Sequence, residues 1–123
     1  MDKLKFINEQ MSVLEIPYEF MEWTGEIKYP YFTGEITENE PITEDGAETA
    51  VFILNGFTRG KYIDLELIKD KIKTHFPAIG GLRAQTEHGA IAVYYGGSLF
   101  VPTGEMDLKR IQINLIIQEW SCD

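Results

Sequence analysis

The sequence predicts an α+β fold: a mainly antiparallel β-sheet with two amphipathic helices packed on one face, in two layers. Three observations carry that expectation. Apolar residues recur at spacings of three and four in two segments, Lys3 to Leu14 and Ile63 to Phe76. Apolar and polar residues alternate from Lys109 to Trp120, the period of a half-buried strand. Short turns marked by glycine or proline join most of the other strand-like segments, which favours antiparallel neighbours.

In chain order, Leu4, Ile7, Met11 and Leu14 form the stripe of the first helix, with Asp2 suited to its positive end and Pro17 as its stop. Tyr18 to Trp23 and Ile27 to Thr33 are rich in aromatics and read as strands, with Gly25 as the turn residue between them. Pro30 has no N–H to give a ladder, so the second strand is an edge or is bulged there. The acidic window that follows is punctuated by Pro41 and Gly46 and reads as a long hairpin loop. Ala47 to Phe57 is a strand with Val51 and Ile53 on one face and Phe52 and Leu54 on the other, which places it at the centre of the sheet.

In the second helix Leu65, Ile68, Ile72 and Phe76 share one stripe. Asp64 and Glu66 lie at its front, and Lys71, Lys73 and His75 at its back, the order that suits the helix dipole. Pro77 and Gly80-Gly81 end it. Leu82 to Glu87 and Ala90 to Tyr95 form a hairpin across His88-Gly89. Gly96-Gly97 and Pro102-Thr103-Gly104 mark a loop. In the closing strand Ile111, Ile113, Leu115 and Ile117 face one way, and Arg110, Gln112, Asn114 and Gln118 the other. No linker, repeat or low-complexity tract divides the 123 residues, so residues 1–123 are expected to form a single domain.

Twenty Asp and Glu stand against eleven Lys and Arg, a formal charge of −9. Such a chain lacks the cations whose counterion release drives phosphate-backbone binding, so specific nucleic-acid binding is not expected. Cys122 is the lone cysteine and has no partner for an intrachain disulfide. Met1 to Gln10 lacks the continuous apolar core of a signal peptide, and no run reaches the roughly 18 apolar residues of a membrane span. The expectation is a cytosolic protein with no membrane partner.

Tests for chemistry return nothing specific. TENEPITEDG does not place acids, glycine and glutamate in the order of a calcium loop, and two His with one Cys do not make a zinc site. Ser98 follows two glycines but lacks the flanks of a nucleophile elbow. His75 reads as a cation at a helix C-terminus and His88 as a turn residue, neither marked as a general base. Neither phosphate-binding glycine motif is present. The expectation is therefore not an enzyme: no catalytic residue, no cofactor, no metal.

What remains is surface. Glu35, Glu38, Glu40, Glu44, Asp45 and Glu48 share a window without Lys or Arg. They form a candidate acidic loop that faces a partner or a lumen, with a plain solvated hairpin as the alternative. Trp23, Tyr29, Tyr31 and Phe32 form a candidate subunit interface, where aromatics are enriched. They also fit as cross-strand pairs within the sheet.

YPYFTGE (Tyr29 to Glu35), FILNGFTRG (Phe52 to Gly60), VYYGGSLFVPTGE (Val93 to Glu105) and LKRIQINLIIQEW (Leu108 to Trp120) together resemble small proteins from the structural gene cluster of tailed phages and prophages of Gram-positive bacteria. Within that group the chain resembles the tail terminator, or tail-completion, proteins of long-tailed phages. The resemblance implies an antiparallel sheet flanked by helices, and a homo-oligomeric, hexameric ring that caps the tail tube, stops its polymerisation and mediates head–tail joining. It implies the tail tube protein and a head connector protein as partners. It implies the bacterial cytoplasm during assembly, and then the head–tail junction of the virion, as locations. DNA passes through such a ring, and acidic loops facing the lumen would repel its phosphates. A head-completion or connector protein of the same cluster is one alternative. A small ligand-binding or regulatory domain, with an apolar pocket between helix and sheet, is another.

Overall fold

Alternation along the chain becomes a six-stranded sheet in the order β1-β2-β3-β6-β5-β4. The structure, a computed structural model, describes residues 2–39, 47–86 and 89–121. The elements are α1 (Asp2–Val13), β1 (Tyr18–Phe20), β2 (Tyr31–Asn39), β3 (Ala47–Thr58), α2 (Tyr62–His75), β4 (Leu82–Thr86), β5 (Gly89–Val101) and β6 (Lys109–Ser121). All strand pairs are antiparallel except β1 with β2. This is the expected α+β fold, with β3 and β6 side by side at the centre.

Both helices lie on one face of the sheet. The α1 stripe Ile7, Met11 and Leu14 and the α2 stripe Leu65, Ile72 and Phe76 are buried in one cluster with Phe52 and Leu54 of β3 and Ile111, Ile113, Leu115 and Ile117 of β6. Each such side chain contributes about 1.5–3 kcal/mol by leaving water. Phe6 joins that core from α1, outside the stripe that periodicity marks. At the front of α2, the Asp64 carboxylate accepts the Lys61 backbone N–H at 3.1 Å, satisfying a donor that the helix itself cannot.

Two glycines on the covered face make room for rings. A Cβ on Gly34 would stand 2.5 Å from the Phe52 ring, and one on Gly56 would strike the Phe32 ring. The aromatics of β2 and β3 thus lie over neighbouring strands that carry no side chain there.

Several elements differ from expectation. β1 stops at Phe20, because Met21 takes a positive φ of 69° and turns its N–H to the Gly34 carbonyl at 2.7 Å. β2 starts at Tyr31, directly after Pro30, whose nitrogen has no proton for a ladder. Gly25 adopts φ 87° in the connection, yet β1 and β2 are not a hairpin: they run parallel. β2 continues to Asn39, so the front of the acidic window is strand rather than loop. Gly96-Gly97 is not a loop either; it is a bulge at which the register of β5 against β6 shifts, and β5 runs on to Val101.

Candidate functional site

Because side chains alternate along a strand, the sheet has a covered face and an open one. On the open face, cross-strand rows run Tyr31–Phe57–Arg110–Val101 and Thr33–Asn55–Gln112–Leu99 across β2, β3, β6 and β5. Further along comes Thr37–Val51–Ile116–Tyr94. Val51, Ile53, Phe57, Tyr94 and Ile116 are half-buried there, with no helix above them among the described residues.

One corner of this face is aromatic. Tyr31 stacks on Phe57 at 5.2 Å and meets Trp23 at 5.2 Å and Tyr29 at 5.6 Å. Arg59 lies over the Tyr29 ring at 5.6 Å and donates to its hydroxyl at 3.3 Å. The same guanidinium donates to Asp107 at 2.7 Å and Glu105 at 3.1 Å. The Tyr29 hydroxyl, then Glu105 and Asp107, raise its pKa above the ordinary arginine value. Burial, with Tyr29 alongside, pushes the Tyr31 phenol up as well.

Next to this corner runs a polar relay. Buried Asn55 donates to Glu35 at 3.1 Å, and its oxygen accepts from Arg110 at 2.7 Å and 3.2 Å. Arg110 in turn lies over Phe57 at 5.9 Å.

Trp23, Tyr29 and Tyr31 therefore come together as one surface cluster. Phe32 does not belong with them. Its side chain points to the covered face and is fully buried, because alternation sends it opposite to Tyr31. Phe57, Arg59 and Arg110 belong to the cluster and were not singled out from sequence; pairing β2 with β3 and β6 is what places them there.

The acidic residues are split. Glu40, Glu44 and Asp45 lie outside the described residues. Glu35 and Glu38 sit on β2 and Glu48 on β3, not in a loop. Glu35 is on the open face, whereas Glu38 and Glu48 alternate onto the covered one. Glu38 is also bridged: buried Lys3 reaches it at 2.8 Å and Glu119 at 3.4 Å, tying α1 to β2 and β6. Burial lowers the Lys3 pKa, but the two carboxylates more than offset this and hold it above the ordinary lysine value.

No described set of His, Cys, Asp and Glu is grouped as a metal site. Ser98 is exposed, and its Oγ accepts from the Tyr95 hydroxyl at 2.8 Å. His75 sits in the last turn of α2, where the sequence places it. Its Nε2 meets Gln10 Oε1 at 2.7 Å, and burial pulls its pKa below the ordinary value, favouring the neutral ring. His88 and Cys122 lie outside the described residues. Between helices and sheet, Phe6, Met11, Phe52, Leu65, Ile72 and Phe76 pack in one buried cluster. No described helix is long and apolar enough to cross a membrane.

No protein-family model matches the chain, and no curated protein matches it.

Proposed function

We propose that this chain is a ring-forming assembly protein of a tailed phage, of the tail terminator type, and that it acts without catalysis. The observation that supports it most is the open face. Among the described residues, helices cover one side of the sheet, while the other carries Trp23, Tyr29, Tyr31 and Phe57 at one corner and half-buried Val51, Ile53 and Ile116 beyond. Aromatics and arginine on an uncovered sheet suit contact between subunits or with a tail tube. The sequence character described above supplies the phage context.

In this reading the ring caps the tail tube, ends its growth and then meets the head connector. The test is electron microscopy of particles made by the parent phage or prophage after deletion of the gene. Overlong tails beside filled, tailless heads are the expected result. Leaking heads beside tails of normal length would move the protein to the head side of the joint. Normal infectious particles would remove the assembly role.

A further inference from the structure

Each long edge of the sheet is covered over only part of its length. β1 pairs with residues 32–34 of β2, leaving residues 35–39 without a strand on that side among the described residues. At the opposite edge β4 pairs with residues 89–93 of β5, and the Tyr95 N–H bonds to the Phe76 carbonyl at 3.0 Å. Residues 96–101 of β5 then have no strand on their outer side among the described residues.

The two open stretches differ in character. Proteins usually protect a free edge with charge, proline or brevity. On β2 the protection is present as Glu35 and Glu38, both exposed. Residues 96–101 read GGSLFV, with no charge and no proline, and Leu99 and Phe100 are 50% and 44% exposed. Cations border this second edge on the helix side. Lys73 Nζ is 5.5 Å from the Tyr95 ring; Lys109 Nζ is 5.5 Å from the Tyr62 ring, which stands edge-on to Phe100 at 5.0 Å. Glu38 is on that same side of β2.

We propose that residues 96–101 of β5 pair, antiparallel and edge to edge, with residues 35–39 of β2 in a second copy of this chain. This rests on the ring reading above and names its subunit joint. The strand order makes β5 antiparallel to β2, so copies set side by side in one orientation present the correct pair of edges. The open stretches lie at different heights: Leu99 is level with Thr33, whereas Thr37 is level with Tyr94. Neighbouring copies are therefore staggered along the strands, with β1 and β4 as stops at either end of the joint. A stagger of this kind closes when strands tilt to the ring axis, as in a barrel. The contact is heterologous, the type that builds rings. Lys73 and Lys109 meet Glu38, whose triad with Lys3 and Glu119 keeps a net negative charge, and that complementarity selects this edge over a second copy of the β5 edge.

The test uses the full chain with Cys122→Ser, adding Thr37→Cys, Leu99→Cys, or both; both positions are exposed and on the open face. A short bismaleimide should give a ladder from the double variant and a dimer from a mixture of the two single variants. Neither single variant alone should cross-link. Adding Lys73→Glu and Lys109→Glu should lower the yield at least about fivefold. Cross-linking of Leu99→Cys alone would show that the β5 edge pairs with itself and overturn the proposal. Rings seen by mass photometry without cross-links would overturn this joint and leave the ring reading standing. A chain that stays monomeric at every concentration and never cross-links would also overturn it, while tail lengths in the deletion particles judge the tail role separately.

Discussion

The two faces of one sheet obey different rules here. On the covered face, β6 places Ile111, Ile113, Leu115 and Ile117 under two helices, each almost or fully inaccessible. On the open face the same strand places Arg110, Gln112, Asn114, Ile116 and Gln118, all half-buried. The covered face is held mainly by apolar packing, with the Lys3–Glu38–Glu119 ion pairs at one end; the open face is held by ring stacking and by the Glu35–Asn55–Arg110 relay. The difference shows where stability resides and where surface is left for other work.

The largest expected effect breaks the comparison directly. Phe52→Ala on the covered face should cost about 3–5 kcal/mol, the range for emptying a buried aromatic site. Phe57→Ala, its open-face counterpart on β3, should cost nearer about 1 kcal/mol, since the site is already wet and no cavity is sealed. Urea unfolding of both variants measures this. Equal losses would mean that the open face is a second core.

A smaller effect is expected at the charged end of the covered face. Lys3→Met leaves Glu38 and Glu119 without their shared cation and should cost about 1.5–3 kcal/mol, the range for hydrogen bonds to charged groups. The sign of its pH dependence follows from the raised pKa. The folded state holds the proton more tightly, so the contribution is fully present below about pH 10.5 and is lost as pH rises through the higher folded value. The variant should therefore lose less stability than the parent in strongly alkaline unfolding titrations.

The smallest effect lies at the join of the helices. Burial lowers the His75 pKa, so the unfolded chain takes up a proton that the folded chain resists. Stability should fall as pH drops below about 6.5 and be flat, for this group, above it. His75→Gln should flatten that slope in melting curves recorded across the range. An unchanged slope would mean that other groups carry it.

Much of the fold was legible because periodicity is a local property. The α2 stripe, the β6 alternation and the two-sided apolar pattern of β3 follow from spacing alone, and each is found where spacing puts it. The acidic residues were harder. A window rich in Glu with Pro41 and Gly46 reads as loop, yet Ile36 is partly buried against the core and draws Glu35 and Glu38 into β2 with it. Phe32 and Tyr31 looked alike as neighbouring aromatics. Only the pairing of β2 with β3 decides which of them is core.

By itself the sequence determined the element order, the helix stripes, the covered face of β6 and the absence of recognisable catalytic motifs, because these depend on residue type and short-range spacing. Only the tertiary structure decided the parallel pairing of β1 with β2, the division of the acids between two faces, the partners of Lys3, and the mismatched edges at β2 and β5. Those depend on which distant strands meet, and strand pairing is a long-range choice that no short window of residues contains.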